Sequence, residues 1–231
     1  MKKKALRTVF LDTVPVLIGY LFLGAGFGIL LAEQTGKGIG WAFCMAVFMF
    51  AGSGQYLAVS LLATKATLLS TAVATLLVNA RHIFYGISLL DTYADAGKKK
   101  PYMIFGLTDE TYSLVTQNEP PEGMSRSKYC FLVTAFNHVY WICGCVIGNL
   151  AGSYIPINFE GVEFVLTALF VTMFVEQWLS HKNHLPAIIG VVVTVVCLAI
   201  FGSEIFLIPS LVLIAVLLTV SRKTGRRKGD A

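Results

Sequence analysis

Arg81 is the residue with the most distinctive chemistry in this chain, because it stands in the motif Asn79-Ala80-Arg81-His82 within otherwise apolar sequence. A guanidinium never sheds its charge and its planar fork matches a carboxylate bidentately. His82 beside it is an imidazole, the side-chain type that can move a proton in the physiological range. Asp109 and Glu110 supply adjacent carboxyl groups that can meet an ammonium group or carry a proton. Gly52-Ser53-Gly54-Gln55 adds a hydroxyl, a carboxamide and two flexible positions inside another uncharged run. Placing a charged side chain at the centre of hydrocarbon costs about 3 kcal/mol even on insertion scales, so polar clusters in such sequence mark substrate or ion pathways. The chemistry on offer is recognition of a small zwitterion, with proton movement alongside.

Other chemistries have little support. The chain carries no H-E-x-x-H, G-x-S-x-G or P-loop signature, so hydrolysis and nucleotide-driven work are not expected. Gly52-Ser53-Gly54 with His82 or His138 imitates a membrane serine protease only at the level of a very common tripeptide. The cysteines Cys44, Cys130, Cys143, Cys145 and Cys197 have neither zinc nor disulfide spacing and read as small buried hydrophobes. The expectation is a non-enzyme without metal or cofactor.

The elements that must position these residues are membrane helices. The 231 residues are 56% hydrophobic and 13% charged, far below the roughly 25% charged residues of soluble domains. Charge-free runs cover residues 13–32, 41–64, 66–80, 129–159, 164–175, 185–203 and 205–221. A crossing helix needs about 20 mostly apolar residues, and several runs reach that. Met1 to Arg7 followed by an apolar stretch imitates a secretory leader, but the apolar run is too long for one and is expected as a retained first span. Lys2, Lys3, Lys4 and Arg7 precede it, and Arg222, Lys223, Arg226, Arg227 and Lys228 follow the last run. The positive-inside rule therefore places both termini in the cytoplasm, and the basic tail reads as a topological anchor rather than a nucleic-acid site.

Residues 129–152, 161–179, 185–201 and 205–220 form four expected spans, and residues 9–31 form the first. Between them the count is open. Residues 41–64 and 66–90 are long enough to cross, while 101–117 is short and carries Asp109 and Glu110. The expected fold is an all-α polytopic bundle of about six to eight spans, one transmembrane domain over 1–231, with broken or re-entrant helices in its first half. Two breaks are expected, at Gly52–Gln55 and at Asn79–His82, since paired glycines disfavour continuous helix and unwound backbone at membrane depth builds transporter sites. Gly24, Gly26 and Gly28 find an echo in Gly144, Gly148 and Gly152, at spacings that suit close helix packing.

Three motifs in order carry a resemblance: Phe50-Ala51-Gly52-Ser53-Gly54-Gln55-Tyr56, then Leu77-Val78-Asn79-Ala80-Arg81-His82-Ile83-Phe84-Tyr85-Gly86, then Thr108-Asp109-Glu110-Thr111-Tyr112. Together they resemble the AzlC family over nearly the whole chain. The resemblance implies the large subunit of a bacterial inner-membrane permease that exports branched-chain amino acids, working with a small hydrophobic subunit of the AzlD type. It also places Gln55, Asn79, Arg81, His82, Asp109 and Glu110 on the family's recurrent polar positions.

The expected mechanism follows from the residues. Arg81, helped by N–H groups near Gly52, Ser53, Gly54 and Gln55 and by Asn79, holds the substrate carboxylate. Asp109 or Glu110 meets the ammonium group, and His82, Asp109 or Glu110 carries a coupling proton. Phe50, Leu57 and Phe84 shape a pocket for a branched side chain. One acid, Asp109 or Glu110, is expected against Arg81 at rest. The competing reading is a channel or a non-transporting assembly subunit.

Overall fold

The computed structural model describes residues 2–154, 164–180, 184–206, 209–210, 213–214 and 216–219. All regular structure among them is helical, and two compact units are distinguished, Met1–Leu166 and Thr167–Ala231.

The first unit is organised by two long helices, α1 (Lys2–Thr35) and α8 (Arg126–Tyr154). Their contact is made by glycine. A Cβ on Gly144 would lie 2.5 Å from the Tyr20 carbonyl oxygen and 3.2 Å from Cα of Gly24, while one on Gly152 would lie 3.0 Å from Cα of Ile29. Gly28 and Gly148 are tighter still, lying against the backbones of Cys145 and Ala25 respectively. Gly24 and Gly28 of α1 thus meet the face of α8 that carries Gly144, Gly148 and Gly152. Apolar lipid gives helices no hydrophobic reason to associate, so close backbone approach and its dispersion gain must hold them. Asn149 adds a polar clamp at the end of this seam, donating to the carbonyls of Gly28 (3.2 Å) and Lys37 (3.0 Å). The opposite face of α1 is apolar and exposed at Ile18 and Phe22, as a lipid-facing surface would be.

Between these two helices the chain is a succession of short pieces. α2 (Ile39–Phe48) and α3 (Gly52–Ala63) replace a continuous helix over 41–64, and α4 (Leu68–Asn79) and α5 (Arg81–Ser88) replace one over 66–90. The Leu68–Leu76 and Arg81–Ser88 segments meet at 45°. A 3-10 turn (Ala94–Lys99) leads into α6 (Lys100–Phe105), and α7 (Asp109–Gln117) follows. Residues 101–117 therefore do not form one crossing helix: six and nine residues rise only about 9 and 14 Å. The C-terminal end of α7 is held by Arg126 of α8, which donates to the carbonyls of Asn118 (2.5 Å) and Val115.

The second unit contains most of α9 (Phe164–Ser180) and α10 (Leu185–Ile205), the latter interrupted at Gly202, whose φ is 73°. An apolar groove of about 510 Å³ is lined by Phe174, Trp178, Ile188 and Val192, among others. The expected last span, 205–220, is described only in part, at residues 205–206, 209–210, 213–214 and 216–219.

Among the described residues, three helices are long and apolar enough to cross a membrane: Lys3–Thr35, Arg126–Tyr154 and Leu185–Gly202. The bent α4–α5 pair makes a fourth when taken as one span. The sequence places the first three within a few residues, because a charge-free run of helix formers has only one way to satisfy its backbone in lipid.

Candidate functional site

The first break lies slightly upstream of where the glycines place it. α2 ends at Phe48, and Phe50 adopts φ 35°, a left-handed conformation unusual for a bulky side chain. Gly52 and Gly54 sit in the first turn of α3 and neither has positive φ. Their use is space. A Cβ on Gly52 would lie 3.3 Å from the Trp141 ring, and one on Gly54 would lie 3.0 Å from the Asn79 carboxamide nitrogen. The glycine positions let α3 start against two polar-tipped side chains.

What holds Phe50 in its strained conformation is His138 of α8. The rings stack with centroids 4.3 Å apart, and His138 Nε2 lies 3.2 Å from the carbonyl oxygen of Ala46, in the last turn of α2. An N–H on Nε2 donates to that carbonyl, leaving Nδ1 to accept from Tyr102 Oη at 3.0 Å. Phe50 also packs edge-on to Tyr20 and against Phe105, so it is a structural part of the break. Leu57 lies half-buried on α3, and the side chain of Phe84 is outside the described ones.

Arg81 begins α5 directly after the second break. Its Nη2 lies 2.9 Å from Asp109 Oδ2 and 3.0 Å from Ser53 Oγ, joining α5, α7 and α3 at one guanidinium. Asp109 is thus the acid that meets Arg81. Its other oxygen, Oδ1, accepts from Tyr85 Oη at 2.6 Å. The side chains of Arg81 and Asp109 are 27% and 26% exposed, so the pair is partly open rather than sealed.

Glu110 turns the other way, as adjacent helix positions about 100° apart require. It accepts from Tyr20 Oη at 2.7 Å, and Tyr20 Oη is also 2.7 Å from Thr108 Oγ1. Thr108 is the N-cap of α7, accepting from the Thr111 N–H at 3.2 Å. That cap explains why a helix restarts here: an extended threonine satisfies one of the orphan donors of the first turn.

Gln55 is fully buried and its Oε1 accepts from Trp141 Nε1 at 2.6 Å, while its Nε2 has no partner among the described residues. Asn79 donates to the Thr75 carbonyl at 3.0 Å and its Oδ1 is likewise buried, with no partner among the described residues. His82 Nδ1 lies 3.0 Å from the Asn79 carbonyl and its ring packs edge-on to Tyr85. Each unmade buried hydrogen bond costs about 1–3 kcal/mol, so these atoms want an additional polar group. Among the described residues no side chain caps the N-terminus of α3, and its first N–H groups lie on the same turn as Ser53.

The site therefore gathers Gly52, Ser53, Gly54, Gln55, Asn79, Arg81, His82 and Asp109 around the starts of α3, α5 and α7, with Glu110 on the neighbouring face. Sequence reasoning passed over Tyr20, Tyr85, Thr108, Asn137 and Trp141 as site residues. Their signal was present but faint: Tyr and Trp within charge-free runs carry polar tips that need partners once buried.

Comparison with known proteins bears on what the site belongs to. Residues 15–155, which include all the site residues, match the family model described as AzlC protein. The chain is 41% identical to the "Branched-chain amino acid transport protein AzlC" of Bacillus subtilis strain 168, over 95% of this chain and 86% of that one. It is 41% identical to an "Uncharacterized membrane protein" of Helicobacter pylori 26695, over 95% and 96% of the two chains. It is 27% identical to the "Inner membrane protein YgaZ" of Escherichia coli K12, over 87% and 82%. No solved structure matches. With the three motifs, the broken helices they mark and a relative this similar along its length, the chain belongs to the AzlC family of membrane proteins, whose Bacillus subtilis member is named for branched-chain amino acid transport.

Proposed function

We propose that this protein is a secondary transporter that exports branched-chain or similar small amino acids across the bacterial inner membrane. It works as one transmembrane domain with cytoplasmic termini and with a small hydrophobic subunit of the AzlD type. In this reading the short α6 and α7 and one of the two broken segments over 41–90 are re-entrant rather than crossing, which gives six full crossings. The observation that carries it is the partly open Arg81–Asp109 pair, set where α3 and α5 begin.

A zwitterionic substrate suits that pair because it can enter without leaving any charge unpaired. The substrate carboxylate takes the guanidinium of Arg81 and the uncapped N–H groups of α3, and Asp109 is released to the substrate ammonium group. Breaking a buried pair by removing one partner costs about 3–5 kcal/mol, whereas exchanging partners avoids that cost. The unpartnered Gln55 Nε2 and Asn79 Oδ1 supply a donor and an acceptor near the exchange. Glu110, with Asp109 and His82 as the other titratable groups nearby, carries the coupling proton. The chain has no nucleotide-binding signature, so a gradient drives the cycle.

Counterflow of radiolabelled leucine in proteoliposomes, with and without the small subunit, tests the reading. Saturable, stereoselective exchange is expected, and non-saturable flux or none under both conditions would overturn it. Impermeant labelling of single cysteines at positions 3 and 226 in spheroplasts is expected to fail, in line with internal termini.

A further inference from the structure

The buried groups beside Glu110 form a continuous hydrogen-bonded series that the transport reading does not use. Glu110 Oε2 to Tyr20 Oη is 2.7 Å, and Tyr20 Oη to Thr108 Oγ1 is 2.7 Å. Thr108 Oγ1 to Thr111 Oγ1 is 3.0 Å, and Thr111 Oγ1 to Asn137 Nδ2 is 2.9 Å. The series joins α7 to α1 on one side and to α8 on the other. Each hydroxyl has one hydrogen to give, which restricts the arrangements.

With Glu110 ionised, only three of the four contacts can hold a hydrogen. Tyr20 donates to the carboxylate, and Asn137 and Thr108 both donate to Thr111, so the contact between Tyr20 and Thr108 has none. When Glu110 takes a proton from the transport pathway, its O–H donates to Tyr20, and the hydrogen of Tyr20 rotates to Thr108, which completes the series. The proton stays on Glu110 throughout, since hydroxyl hydrogens rotate and no charge travels along the series.

We propose that Tyr20, Thr108, Thr111 and Asn137 are positioning residues that sense the proton on Glu110 as one reversible chain and transmit its state to α1 and α8. This rests on the reading of Glu110 as the proton carrier. The charged and titratable groups that the structure places about Glu110 are Asp109 beside it, Arg81 of α5 on the far side of Asp109, and Tyr20 of α1. Aligned donors polarise one another, so a cut far from the carboxylate is felt at it.

Infrared titration of the protonated carboxyl band in the purified full-length protein tests this without substrate or partner, the band being assigned by its loss in Glu110→Gln. Tyr20→Phe removes the donor to the carboxylate and is expected to move the midpoint up by about one unit, a tenfold change in proton affinity. Thr111→Val takes the acceptor from Thr108, which disfavours the completed series, and is expected to move the midpoint down by about half a unit, with Thr111→Ser restoring it. The decisive variant is the double one. Tyr20→Phe with Thr111→Val should titrate where Tyr20→Phe alone does, because the chain is already cut. Additive shifts, or no shift in a stably folded Thr111→Val protein, would overturn the chain. A Glu110→Gln protein that loses no titrating band would instead overturn the reading of Glu110 as carrier, and the chain with it.

Discussion

The α1–α8 seam and the α2–α7 region both depend on glycine, and they use it in opposite ways. Along the seam, Gly24, Gly28, Gly144, Gly148 and Gly152 lie in unbroken helices and let two backbones touch. In the broken region, Gly52 and Gly54 begin a helix and leave room for Trp141 and Asn79. One arrangement has a single packed solution, since any added atom meets backbone. The other surrounds a charge pair with side chains that have somewhere else to go. A transporter needs both: a scaffold that does not yield and a site whose partners can be exchanged.

The largest expected effect breaks the seam. Gly148→Leu would drive a side chain into the backbone of Ala25, and overpacking at such a contact costs about 1–3 kcal/mol or more. Size-exclusion profiles of the solubilised protein are expected to show loss of the folded species. Gly54→Leu meets the end of the Asn79 side chain and the Ala51 methyl instead. The protein should insert at normal levels while leucine counterflow falls by about tenfold or more, the equivalent of about 1.4 kcal/mol. If the two substitutions lowered folded protein equally, the distinction between scaffold and site would fail.

A smaller effect is expected at His138, which joins the two regions. His138→Phe keeps a ring against Phe50 but leaves the Ala46 carbonyl without its donor, at a cost of about 1–2 kcal/mol. Thermal unfolding should occur a few degrees lower. The smallest effect sharpens the argument from the scaffold side. Gly19 lies on α1 like Gly24, yet a Cβ there meets nothing within 4 Å among the described residues. Gly19→Ala should be neutral or raise stability by about 0.5–1 kcal/mol through helix propensity.

The same contrast governs what could be read from the sequence. α1, α8 and α10 were legible because long charge-free runs admit one backbone solution in lipid, and hydropathy reports it directly. The breaks were legible as breaks, through Gly52 and Gly54 and through Asn79 to His82, but not at the residue level. Phe50 rather than a glycine takes the positive φ, because His138, distant in sequence, compensates for its strain. Arg81 announced its need for an acid, and Asp109 and Glu110 were the motif acids available. Which of the two would meet it depended on the phase of α7, fixed by the Thr108 cap. Tyr20, Asn137 and Trp141 stayed hidden because a polar tip in an apolar run leaves no periodicity to detect.

The central claim is that Arg81 holds the substrate carboxylate in place of Asp109. Equilibrium binding of labelled leucine to the purified protein, competed by leucinol, which lacks the carboxylate, tests it most directly in the wild type and in Arg81→Lys. Lysine keeps the charge and loses the fork, and a charge-assisted bond is worth about 1.5–3 kcal/mol. The wild type should therefore prefer leucine to leucinol by about tenfold or more, and Arg81→Lys should lose most of that preference by binding leucine more weakly. An Arg81→Lys protein that binds leucine as tightly as the wild type would contradict the assignment.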